Sequence, residues 1–140
     1  MKRIFMLVIL CLIATAMLAE EEGDPRLMAL QGEYIALGIA PHSLKPYKGK
    51  VIMKFLAKDT LSVIRIINGK KSMGKGRLEK NPPSEITEFV VNFQDGRKTV
   101  RAVYLMQSEY DNYIRLTGML YSKGVSLEKK GLEALFPVIN

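Results

Sequence analysis

The chain has 140 residues, with 21 Lys plus Arg against 14 Asp plus Glu, one His and one Cys, for a formal net charge of +7. That length bounds it at one domain with room for one hydrophobic core. A lone cysteine excludes an internal disulfide framework and a multi-thiolate metal site.

Residues 1–19, MKRIFMLVILCLIATAMLA, set Lys2 and Arg3 before an apolar run from Ile4 to Ala14, and small residues precede Glu20, Glu21 and Glu22. This is the pattern of a secretory signal peptide, with cleavage expected after Ala19 or Ala16 and an exported product, periplasmic or secreted. A transmembrane anchor would need about 20 apolar residues and a basic far flank, whereas this run is shorter and its far flank acidic. Acylation of Cys11 as a lipoprotein is disfavoured by Leu10, which stands where a small residue is wanted. Cleavage would remove the two basic residues and Cys11, leaving 19 basic against 14 acidic residues and no thiol. Residues 20–140 are then a single domain with no transmembrane span after processing. Mixed charge of this kind usually means a solvated surface.

From Gly32 onward, short runs rich in Val, Ile, Tyr and Phe are broken by Gly, Asn, Asp and Pro, which predicts an all-β meander. Strands are expected over Glu33–Ala40, Lys50–Ala57, Leu61–Ile67, Lys71–Leu78, Ile86–Phe93, Thr99–Gln107 and Asn112–Tyr121. Asn68-Gly69 and Asp95-Gly96 suit two-residue turns and predict antiparallel neighbours. Asn81-Pro82-Pro83-Ser84 is a loop, since neither proline can donate to a ladder. Strands joined in sequence order favour an up-and-down barrel of seven or eight strands, which leaves no exposed edge.

Alternation gives each strand a more apolar face: Val51, Met53 and Phe55; Phe89, Val91 and Phe93; Val100, Ala102, Tyr104 and Met106. In the fourth strand Ser72, Gly74 and Gly76 are small and Lys71, Lys75 and Arg77 charged, which predicts a bend, a barrel corner or close approach of another backbone. The tail, Ser126 to Phe136, is expected to be a helix. Glu128 falls in its first turn, Leu127, Gly131, Leu132, Leu135 and Phe136 form an apolar stripe for packing outside the sheet, and Pro137 stops it.

Gly32-Glu33-Tyr34, after PRLMALQ, resembles the G-x-W motif that opens the barrel in lipocalins, with Tyr34 in the tryptophan's place. YIRLTGMLYSKGVSLEKKGLEAL resembles the lipocalin ending, in which a last strand runs through L-Y-G-R into a helix on the barrel. Leu120, Tyr121, Ser122 and Lys123 take those places. Between them, either Ser108-Glu109-Tyr110 or Gln94-Asp95-Gly96 stands where the family has T-D-Y. The resemblance implies an eight-stranded calycin-type barrel closed at one end by Gly32 and Tyr34, with Arg115 or Lys123 over the Tyr34 ring. Such a cation over an aromatic face contributes about 0.5 to 2 kcal/mol.

A barrel of about eight strands can be filled by its own side chains or can hold one small molecule. Met53, Phe55, Phe89, Phe93, Tyr104 and Met106 are the candidate lining for a small hydrophobic or lipid-like ligand, and the same residues serve equally as a solid core. Interior volume separates the two. Lys70, Lys71, Lys75 and Arg77, with Lys45, Lys48 and Lys50, form a candidate basic rim for anionic lipid head groups or an acidic envelope protein. That gives a rival function, an inhibitor or assembly factor working through its loops. His42, the only histidine, lies in a loop without a local partner for general-base work. No metal, cofactor or catalytic motif is legible, so the expectation is a binding protein rather than an enzyme. Nucleic acid is not an expected partner, because the lysines lack interleaved aromatics.

Overall fold

The computed structural model describes residues 23–108, 114–124 and 126–139. The expected signal peptide, the Ser108-Glu109-Tyr110 register beyond its first residue and the start of the last expected strand at Asn112 lie outside them. Among the described residues eight strands run in chain order: β1 (Gly32–Ile39), β2 (Pro46–Ala57), β3 (Thr60–Ile67), β4 (Lys70–Lys80), β5 (Thr87–Asp95), β6 (Lys98–Ser108), β7 (Ile114–Ser122) and β8 (Gly131–Pro137). Each pairs antiparallel with the next, and β8 closes the barrel on β1.

The turns set this order. Asn68 and Gly69 take φ angles of 51° and 77°, so the β3–β4 hairpin turns on two left-handed residues as a type I′ turn requires. The β5–β6 hairpin turns one residue later than the sequence suggests. Asp95 still pairs with Lys98, and Gly96, at φ 62°, leads the loop with Arg97, as in a type II′ turn.

The eighth strand is the main correction. The tail forms only a short 3₁₀ turn, Leu127–Lys129, and then β8, not a helix over Ser126 to Phe136. Its burial alternates: Gly131, Glu133 and Leu135 are buried while Leu132 and Phe136 are exposed, a period of two that a helix cannot deliver. Tertiary context decides the outcome, because without β8 the edges of β1 and β7 would be left unpaired.

One end, here called the lower, is plugged by a helix, α1 (Pro25–Ala29). Asp24 accepts a hydrogen bond from the Arg26 backbone N–H, and Pro25 stands at the first helical turn, where its missing donor costs nothing. Leu27 and Leu30 are fully buried beneath the barrel. Above them Val51, Met53, Leu61, Val63, Phe89, Val91, Leu116 and Leu135 pack as a solid core. The rings of Phe89 and Tyr104 stack at 6.1 Å. The small face of β4 points inward and makes room for this core. A Cβ on Gly76 would stand 2.4 Å from the Phe89 ring, so close approach is what these glycines serve.

Candidate functional site: a polar floor beneath the open end

The inward residues of β3 are Leu61, Val63, Arg65 and Ile67, so strand parity alone carries a guanidinium into the barrel. On β8 the same parity turns Glu133 inward between Gly131 and Leu135. The two meet as a fork: Arg65 Nη1 donates to Glu133 Oε1 and Nη2 to Oε2, both at 2.6 Å. The Tyr47 hydroxyl donates to Oε2 at 2.6 Å, and the Tyr104 hydroxyl donates to Oε1. Arg65 Nη1 also reaches the Tyr104 hydroxyl oxygen at 3.3 Å, and the guanidinium lies 4.4 Å above the Phe93 ring.

Two glycines make this geometry possible. Gly38 faces Tyr47 across β1 and β2, and Gly118 faces Tyr104 across β6 and β7. A Cβ at either would stand 2.6 Å from the tyrosine, so the phenols can lie over bare backbone and direct their hydroxyls at Glu133.

Arg65 and Glu133 are each 3 % exposed, and a buried charge is tolerated only when paired and hydrogen-bonded. Burial opposes the charge on Arg65, but the hydrogen bonds and charge of Glu133 outweigh it and hold the guanidinium protonated beyond its ordinary range. Burial also raises the Tyr104 and Tyr47 phenols, and the Glu133 carboxylate beside them raises both further. The floor is therefore a fixed array of dipoles and a neutralised ion pair. Among its atoms, Arg65 Nε has no hydrogen-bond partner among the described residues.

Above the floor a cavity of about 620 Å³ opens at the upper end. Arg65 and Tyr47 border it from below, Ile67, Ser72, Phe93, Val100 and Leu120 form its walls, and Lys45, Lys70, Lys71 and Asp95 stand at its mouth. The site thus pairs apolar walls with a polar base and a mostly basic rim.

The candidate residues divide between the two ends. Phe93 borders the cavity. Met53, Phe89 and Tyr104 are wholly buried below it, Tyr104 as a member of the floor. Met106 sits at the lower end beside α1, in a crevice with Pro25, Ala29 and Ile114. Phe55 lies near the end of β2, just before a bulge, and is 40 % exposed, where its ring would clash with any Cβ on Gly23.

Of the basic rim, Lys70 and Lys71 are at the mouth, whereas Lys75 and Arg77 lie on the outer wall beside Val90 and Asn92. Arg77 Nε donates there to Thr60 Oγ1 at 3.1 Å. At the closed end Gly32 opens β1 with φ 144°, and Tyr34 is buried with its hydroxyl donating to the Leu30 carbonyl at 2.9 Å. Burial pushes the Tyr34 phenol up to about 12. Lys123 follows β7 at the opposite, upper end, so it does not cover the Tyr34 ring. Arg115 lies at the lower end but pairs with Gln107 on the outward parity of β7.

Sequence reasoning missed Arg65, Tyr47 and Glu133. A charge in the inward series Leu61, Val63, Arg65, Ile67 was the available signal for the first. Tyr47 was missed because β2 begins at Pro46 rather than at the expected Lys50, and Glu133 because the tail was expected to be a helix.

No helix among the described residues is long and apolar enough to cross a membrane, and no group of three His, Cys, Asp or Glu among them could hold a metal ion. No family model and no curated protein matches the chain. A solved structure described as a "De novo design of a fluorescence-activating beta barrel" is similar over 82 % of this chain and 99 % of its own, with a TM-score of 0.52 and 14 % identity. The likeness is one of fold. It places this chain with small closed β-barrels, while the lipocalin resemblance loses its helical ending to β8.

Proposed function

We propose that the protein binds a small amphipathic molecule at the open end of the barrel and does no chemistry on it. The observation that carries this reading is the cavity of about 620 Å³ above a rigid polar floor, in a barrel whose other end is filled. Binding pockets of this size commonly join apolar walls to a few fixed polar groups. The guest's apolar body would lie against Ile67, Phe93, Val100 and Leu120, and its polar group would meet the floor or the lysines of the mouth. Similarity to a barrel described as fluorescence-activating is in keeping with a small-molecule guest. The signal-like residues 1–19 support export of the mature domain, which N-terminal sequencing of the protein from its host would check.

Lys45, Lys70 and Lys71 at the mouth, together with the filled lower half, favour a second reading in which the upper loops dock an acidic envelope protein or anionic head groups. Both readings meet one experiment. Protein from its own host is taken for native mass spectrometry and organic extraction, then titrated with 1-anilinonaphthalene-8-sulfonate. The cavity reading expects a saturable site that Ser72→Trp and Ile67→Trp, each filling the upper space, remove without loss of fold. Absence of any guest, with dye signal unchanged by either substitution, would favour the docking surface.

A further inference from the structure

We infer that the protein pairs with a second copy of itself through the outer face of β6, β7, β8 and β1. Along the middle of these strands the outward side chains are mostly apolar and their cross-strand pairs make the patch continuous, while Glu33, Arg101 and Arg115 face outward at its borders. Met119 faces Leu132, which faces Ile39, forming an upper ridge across three strands. Phe136 and Ile35 form a lower ridge. Between the ridges lies a trough floored by the small residues Thr117 and Ala134, with Leu105 at one end and Leu37 at the other.

Size argues for a partner. Ile35, Leu37, Ile39 and Leu105 on this face are 37–44 % exposed, and Met119, Leu132 and Phe136 are 38–47 % exposed. At about 200 Å² of full surface apiece, these seven present on the order of 600 Å² of apolar area. That is the upper limit for the largest patch of an ordinary monomer. Doubled across two copies, it reaches about 1,200 Å², the lower bound for a stable interface before any rim is counted.

Charge and relief argue that the partner is a copy. The other walls carry Lys48, Lys50 and Lys54 on β2 and Lys71, Lys75 and Arg77 on β4, so copies of this basic chain repel elsewhere. The same charges interrupt the apolar belt that a membrane-spanning barrel needs around its whole circumference. Ridge, trough and ridge are self-complementary. A twofold axis in the contact plane, running across the strands between ridge and trough, seats a ridge of each copy in the trough of the other. The inference is independent of the guest in the cavity, because every residue it uses points away from the lumen.

Sedimentation velocity over a dilution series, on the protein as its host processes it, tests this. The expected result is a dimer at micromolar concentration. Leu37→Glu and Leu132→Glu should each weaken association at least a hundredfold with an unchanged circular dichroism spectrum, since both side chains are exposed. Mixing Leu37→Glu with Leu37→Lys protein should restore the dimer, which loss of fold would not permit. Met73→Glu, on the charged wall, should leave the dimer intact. A wild-type monomer at several hundred micromolar overturns the inference, as does a dimer indifferent to Leu37→Glu. A monomer that instead binds phosphatidylglycerol vesicles through Leu37 would assign the wall to a lipid surface.

Discussion

The two halves of the barrel use the same inward parity for opposite ends. In the lower half Met53, Val63, Phe89 and Leu116 pack in one apolar cluster with the Tyr34 ring, whose hydroxyl is satisfied by the Leu30 carbonyl, and α1 plugs the end. In the upper half, one residue pair further along the strands, Val63 gives way to Arg65 and Leu135 to Glu133, and packing gives way to a cavity. The lower half is a core whose contribution is burial. The upper half is a polar array whose contribution is position, held in place by what lies beneath it.

The largest expected effect comes from splitting the array. Glu133→Leu strands the Arg65 charge in the interior and should destabilise the fold by about 3–5 kcal/mol, read as a fall in the urea midpoint. Replacing both partners, as Arg65→Met with Glu133→Leu, should restore most of that stability, because the desolvation of two ions is removed together. If the double variant is as unstable as the single, the pair is a structural necessity and the contrast between halves fails.

Truncation compares the halves directly. Phe89→Ala opens a void among fully buried neighbours and should cost about 3–5 kcal/mol while leaving dye binding intact. Phe93→Ala should cost less, because the ring borders a space that already exists, yet it should weaken dye binding. Equal losses of stability would mean that the upper cavity collapses in solution.

The tyrosines sharpen the comparison through pH. Tyr34 owes its rise from 10.0 to about 12 to burial alone, whereas Tyr47 and Tyr104 are also raised by the Glu133 charge. A phenol that holds its proton more tightly when folded stabilises the fold fully below pH 10, and that stability drains as pH rises toward 12. The denaturation midpoint should therefore fall steeply above pH 10. Tyr34→Phe should flatten part of that fall, and Glu133→Gln a different part.

The meander was legible in the sequence because alternation and turn chemistry are local: the NG pair names its own hairpin, and seven of eight strands follow. β8 was not, because EKKGLEALFP satisfies a helical stripe and a strand alternation alike, and only the unpaired edges of β1 and β7 choose between them. The plug at α1 had a local signal in Asp24-Pro25 followed by Leu27 and Leu30. The floor was illegible for a different reason. Arg65 can be seen as an anomaly in its strand, but its partner lies 68 residues away, in the element that was misassigned. With that partner hidden, the aromatic candidates read equally as lining or as core: Phe89 and Tyr104 are the foundation, Phe93 borders the cavity, and Phe55 stands partly exposed at the other end.

The smallest effect on stability should come from the mouth, and it separates recognition from folding. Lys70→Gln and Lys71→Gln change exposed side chains at a hairpin, so each should move stability by no more than about 0.5 kcal/mol. If the upper half recognises acidic guests, the same changes should weaken an anionic dye severalfold and spare a neutral analogue of equal size. The loss should shrink as salt rises from 10 mM toward 1 M, since the Debye length then contracts from about 30 Å to about 3 Å. A neutral dye weakened to the same degree would mean that the lysines shape the mouth rather than charge it. The polar floor alone would then select the guest.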